Sequence, residues 1–169
     1  MRSLSQIMLV VVLAMGSTPA MSQTKPPKCD TEGHRAFDFW LGKWDVRTPD
    51  GKLVGHNEIS LEYNACVLHE RYASIKGYQG ESLNIYDPAR DKWHQTWVDT
   101  AGTLLVLEGG MREGSMVMAG ATGSDDKPTR QRITWTPNPD GSVRQLWEAT
   151  DEKGEWSVVF DGRYSKALP

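Results

Sequence analysis

From residue 43 to the C-terminus, apolar and polar residues alternate in short runs, and turn-forming residues interrupt them every eight to twelve positions. The runs lie near 43–48, 53–62, 67–75, 81–86, 92–99, 103–108, 115–120, 130–136, 142–149 and 156–164, and they are rich in β-branched and aromatic residues. Between them stand turn signals: Pro49-Asp50-Gly51, Asn64-Ala65, Gly77-Tyr78-Gln79-Gly80, Asp87-Pro88, Ala101-Gly102, Gly109-Gly110 with Glu113-Gly114, residues 123–128, Pro139-Asp140-Gly141 and Lys153-Gly154. No helical periodicity is sustained after residue 41; a short helical turn is expected at 34–40. Ten short strands joined by tight turns predict an antiparallel meander. Closure removes the exposed edges of such a sheet, so the expected fold is all-β, an up-and-down β-barrel of about ten strands.

Period-two alternation assigns faces. Trp93, Gln95, Trp97 and Asp99 share one side of the fifth run, with His94, Thr96 and Val98 opposite. Gln131, Ile133 and Trp135 fall together, as do Val143, Gln145, Trp147 and Ala149, with Arg144 and Glu148 opposite. Trp156, Val158 and Phe160 are expected on one side of the last run. The third run is ambiguous: Leu68, Glu70 and Tyr72 stand against Val67, His69 and Arg71.

Just before the strands lies Phe37-Asp38-Phe39-Trp40-Leu41-Gly42-Lys43-Trp44. Gly42 lets the backbone pass close to packed rings, so Trp40 and Trp44 are expected to plug one end of the barrel. The motif supplies no nucleophile, metal cluster or phosphate loop.

The first residues change the picture of where the protein works. Arg2, an apolar run at 7–15 and the small-residue stretch 16–22 form the pattern of a secretory signal peptide, with cleavage expected after Ser22. The run is too short to span a bilayer; an uncut N-terminal anchor is the other reading. No cysteine follows it directly, so no lipid attachment is expected. The expected organisation is a signal peptide at 1–22, a polar lead at 23–36 and one barrel domain at 37–169, in the periplasm or secreted. Losing Arg2 would turn the net charge of −3 into −4. That mild acidity, with no Lys/Arg cluster, argues against nucleic-acid and anionic-membrane partners. In an oxidising compartment the lone pair Cys29 and Cys66 reads most simply as a disulfide tying the lead to the start of the third strand. Two buried thiols are the alternative, and no histidine couplet completes a metal site.

The feature that departs most from a plain core is a repeated Gln-x-Trp, at Gln95-Thr96-Trp97 and Gln145-Leu146-Trp147. Both amides share the aromatic, inward face. Buried amides cost free energy unless bonded, so they suggest a cavity holding water or a small ligand. The other reading is that they bond each other or backbone in a filled core. Glu70, Asn84 and Tyr86 are candidate polar contacts, and Arg71 could meet a ligand carboxylate or form a surface pair. Among carboxylates, Glu70, Asp99 and Glu148 could share the interior; a carboxyl held there would have a raised pKa and could act as acid or base. His34, His56, His69 and His94 are scattered without zinc-site spacing, and no Gly-x-Ser-x-Gly, Gly-x-Gly-x-x-Gly or P-loop pattern occurs. No catalytic residue and no metal ligand is assigned. Met111, Met116 and Met118 read as core filler.

The stretch 37–44, then 82–88, Trp93-His94-Gln95-Thr96-Trp97-Val98-Asp99, Leu107-Glu108-Gly109-Gly110, residues 132–136 and Arg144-Gln145-Leu146-Trp147-Glu148 resemble a family of secreted bacterial proteins of unknown function. The resemblance covers nearly all of the chain after the leader. It implies a lipocalin-like, calycin-type barrel, with Gly42-x-Trp44 similar to the glycine-x-tryptophan at the start of lipocalin barrels. It implies no activity and no catalytic residue. Some similar barrels bind haem through a histidine, but no histidine follows His94, so no haem or other cofactor is expected.

These readings converge on a barrel that binds a small, largely apolar or aromatic molecule, lined by Gln95, Trp97, Gln145 and Trp147. Two rivals remain. An isomerase, hydratase or hydrolase would need a perturbed interior carboxylate such as Glu70 or Asp99. An envelope interaction protein would have a filled core and a large exposed apolar patch.

Overall fold

A computed structural model describes residues 28–167. The expected signal peptide and its cleavage site lie outside these residues. The lead enters through α1 (Glu32–Arg35) and a single 3-10 turn at Asp38–Trp40, so the expected helical turn is two pieces, broken at Ala36 and Phe37.

All ten expected strands are present: β1 (Gly42–Arg47), β2 (Leu53–Glu62), β3 (Val67–Ser74), β4 (Gln79–Asp87), β5 (Lys92–Asp99), β6 (Leu104–Arg112), β7 (Ser115–Ser124), β8 (Lys127–Pro137), β9 (Val143–Thr150) and β10 (Trp156–Lys166). Each pairs antiparallel with its sequence neighbours, and β1 pairs with β10, closing the barrel. Several strands outrun their sequence signals. Gly109 and Gly110, expected in a turn, continue β6, and the reversal comes at Glu113-Gly114. Gly109 is needed for a different reason: a Cβ there would collide with the carbonyl oxygen of Val117 on β7. Gly80 likewise belongs to β4.

One end of the barrel is solid. Phe37 stacks on Trp40 with ring centroids 4.9 Å apart and meets Trp135 edge-on at 5.2 Å and Trp93 at 5.6 Å. Trp44, fully buried, donates its indole N–H to the Trp40 carbonyl at 2.9 Å. Gly42 has φ of 125°, a region that only glycine enters at low cost, and a Cβ there would stand 2.6 Å from Lys166 Nζ. The disulfide Cys29–Cys66, Cα atoms 4.9 Å apart, clamps the lead to the β2–β3 turn at this end. Arg35 reinforces it by donating to the Ala65 carbonyl at 2.5 Å. A disulfide fits an extracytoplasmic protein. Among the described residues, no helix is long and apolar enough to cross a membrane.

Alternation holds on most strands. On β3, Leu68 and Glu70 are buried and Arg71 is exposed, which settles the ambiguous run. The last strand departs from expectation. A β-bulge between Val158 and Phe160 resets the phase, so Trp156 and Val158 face out while Phe160 pairs with Trp147 on the inner face. Met116 and Met118 are core residues, but Met111 is 42% exposed at the end of β6.

Candidate functional site

Opposite the plugged end, between the β3–β4 and β9–β10 hairpins, the barrel holds a cavity of about 290 Å³. Five of the seven expected contacts line it: Glu70 from β3, Gln95 and Trp97 from β5, and Gln145 and Trp147 from β9. The alternation that placed both Gln-x-Trp motifs inward holds on β5 and β9. Asn84 is fully buried but does not line the cavity; it accepts a hydrogen bond from Gln95, which does. Tyr86 lies elsewhere, at the plugged end, 5.0 Å from the His34 ring and bonded to Asp91 at 2.5 Å. β4 is long enough to carry Asn84 and Tyr86 on one face yet at different depths.

Neighbouring glycines seat the aromatic walls. The Trp97 ring lies over Gly80 of β4 so closely that a Cβ there would overlap it. Tyr72 and Phe160 lean on Gly55 and Gly162 in the same way. Tyr72, Tyr78, Trp135 and Tyr164 complete most of the aromatic lining. Tyr78 and Tyr164 lacked a distinguishing sequence signal, whereas Tyr72 shares the face of Glu70 and Trp135 that of Gln131 and Ile133.

A polar belt crosses the barrel beneath the rings. Asn57 Nδ2 donates to Glu70 Oε1 at 2.7 Å, and Ser82 Oγ donates to Oε2 at 2.6 Å. Ser82 Oγ accepts from Asn84 Nδ2 at 2.9 Å, and Asn84 Oδ1 accepts from Gln95 Nε2 at 2.8 Å. On the far side, Gln145 Oε1 accepts from Trp135 Nε1 at 3.1 Å and from the Tyr164 hydroxyl at 2.6 Å. An indole can only donate, so this contact fixes which way the Gln145 amide faces. Trp147 Nε1 is held by Gln131 Oε1 at 2.7 Å. Gln95 and Gln145 therefore bond neighbouring side chains, rather than each other or backbone in a filled core, and border an open space.

Glu70 is the chemically unusual member. Burial pushes its carboxyl up to about 7, against the opposing pull of the hydrogen bonds from Ser82 and Asn57. Its residue neighbour His69 points outward, between Glu62 at 3.2 Å and Glu81 at 2.9 Å. Asp99 stands behind the cavity rim and behaves oppositely. Burial alone would raise it, but hydrogen bonds from Trp97 Nε1 at 2.9 Å, the Tyr78 hydroxyl at 2.8 Å and Thr103 hold it down at about 2. Glu148 does not share the interior: it faces outward and pairs with Arg132 at 2.9 Å. Arg71 is also an outer-face residue, paired with Glu62 at 2.8 Å. Both follow from the odd-even offset to Glu70 and Trp147.

Among the described residues, no group of three or more His, Cys, Asp or Glu side chains is placed to hold a metal. The outer face of β4–β6 exposes Leu83, Ile85, Val98, Leu104 and Val106, the patch an interaction protein would need, although the core is not filled. No protein-family model matches the chain, and no curated protein matches it either.

Proposed function

We propose that this protein is a lipocalin-like binding protein of the periplasm or extracellular space that holds a small, largely aromatic molecule in its barrel. The single observation behind this reading is a cavity walled by Trp97, Trp147, Tyr72 and Tyr78 with one buried carboxyl, Glu70, set among the rings. Concave, mostly apolar sites with a few converging polar groups are the usual form of a small-molecule pocket, and this one is at the small end of their size range. Resemblance to secreted barrels of unknown function and the Cys29–Cys66 bridge support the location.

Native mass spectrometry of the protein purified gently from its own host tests the reading. The expected result is a bound small molecule that is lost in the Trp97→Ala, Trp147→Ala double variant. A bound species that survives the double variant would place binding outside the cavity.

The Glu70 carboxyl also favours a second reading, a small-molecule enzyme. A group that titrates near neutrality can both give and take a proton. Turnover of a co-purified molecule by the wild type and its loss in Glu70→Gln would establish that reading; unchanged turnover in Glu70→Gln would remove Glu70 from it.

A further inference from the structure

The chemistry left free inside the cavity restricts what can bind there. Each indole N–H of the lining is already spent on a protein acceptor: Trp97 on Asp99, Trp135 on Gln145 and Trp147 on Gln131. The phenol groups are spent too, Tyr78 on Asp99, Tyr164 on Gln145 and Tyr72 on the Val54 carbonyl at 3.4 Å. The rings therefore present π faces rather than donors. Among the described residues, no lysine, arginine or histidine lines the cavity, and Glu70 is the one carboxyl that does. Inside the barrel the groups packed around Glu70 are Asn57 and Ile59 from β2, Ser82 from β4, Tyr72 from its own strand and Tyr164 from β10, none of them a cation. Its chain neighbour His69 acts on it through the strand from the outer face, where it stands between Glu62 and Glu81. Asn57 Oδ1, also buried, accepts no hydrogen bond from the described residues.

The geometry points to a specific ligand class: a small organic cation, an ammonium group on an aromatic or apolar body, with its charge at Glu70 and its flanks against the tryptophan and tyrosine faces. This rests on the reading of the cavity as a ligand site. Two features of the wall support it independently of Glu70. Aromatic faces carry negative quadrupole potential and attract ammonium groups, most strongly when water is excluded. Trp97 and Tyr78 also both donate to the ionised Asp99, which adds electron density to their rings and sets a fixed negative charge behind the rim. An ammonium at Glu70 supplies the counter-charge that the described lining does not provide, so the carboxyl ionises as the ligand enters and its proton leaves for solvent.

Isothermal titration calorimetry with three probes of one shape tests the class: 2-phenylethylamine, 2-phenylethanol and 3-phenylpropanoate. At neutral pH the amine is expected to bind the wild type roughly tenfold tighter than the alcohol or better, with the anion weakest. At pH 6, where Glu70 is mostly protonated, binding of the amine is expected to release about one proton, read from titrations in buffers of different ionisation enthalpy. Glu70→Gln is expected to abolish the advantage of the amine while the alcohol still binds, which shows that the pocket has folded. Glu70→Asp keeps the charge and should keep the order of preference. Alcohol binding equal to or tighter than amine binding in the wild type, or an amine advantage that persists in Glu70→Gln, overturns the cation assignment and leaves the cavity as a neutral-ligand site. Failure of all three probes to bind overturns both readings.

Discussion

Ser82 donates its hydroxyl to Glu70 Oε2 at 2.6 Å from the neighbouring strand, and with it joins the buried carboxyl to Asn84 and Gln95. A carboxyl embedded in this way couples the stability of the barrel to pH, in the direction opposite to a surface carboxylate.

Folding raises the Glu70 carboxyl from 4.5 to about 7, chiefly through burial. The folded state thus holds the proton more tightly than the unfolded chain. The stabilisation from protonation is full below the unfolded value and is lost as pH rises through the folded one. Its size is on the order of 3 kcal/mol. Denaturant titrations of wild type and Glu70→Gln between pH 4 and 8 should show the wild type losing stability relative to the variant across this window. Parallel curves would mean that Glu70 titrates normally.

Removing the Cys29–Cys66 bridge by paired serine substitution should cost about 4 kcal/mol from loop-closure entropy, for a sequence separation of 37. Urea unfolding under oxidising and reducing conditions checks it. The wild type should fall toward the variant on reduction, and the barrel strands should retain their circular dichroism signal in both.

Trp44→Ala should cost about 3–5 kcal/mol, because the indole is fully buried and its N–H closes onto the Trp40 carbonyl. A loss below about 1 kcal/mol in equilibrium unfolding would contradict its place in the plug.

Gly109 and Gly110 make an internal control. Gly109→Ala drives a methyl into the Val117 carbonyl of the adjoining strand and should destabilise by about 1–3 kcal/mol. Gly110→Ala meets nothing within 4 Å and should change stability by less than about 0.5 kcal/mol. Thermal melts of the two single variants, side by side, separate steric contact from a general glycine effect.

Strand number, order of turns and most inward faces were readable along the chain because each rests on local rules: period-two alternation, turn chemistry and β-branched content. Gln95, Trp97, Gln145 and Trp147 could be placed inward together for that reason; the Cys29–Cys66 pairing was legible on a different ground, as the chain's two cysteines in an expected oxidising compartment. Local rules carry no information about depth along a strand. Asn84 and Tyr86 share a face, yet one is buried against the cavity-lining Gln95 and the other sits at the plug.

Contacts between distant strands settled the rest. The bulge at Val158 and Phe160 turns Trp156 outward because β10 must stay in register with β9 while meeting β1 to close the barrel. Gly80, expected to turn the chain, instead opens space for the Trp97 ring of the next strand. Glu70 becomes unusual only once closure surrounds it with Asn57, Ser82 and the aromatic wall, since its pKa is set by burial rather than by its sequence neighbours. Composition and alternation thus determined a closed meander with aromatic inner faces, and the packing of strands far apart in sequence created the cavity and the chemistry of its one carboxyl.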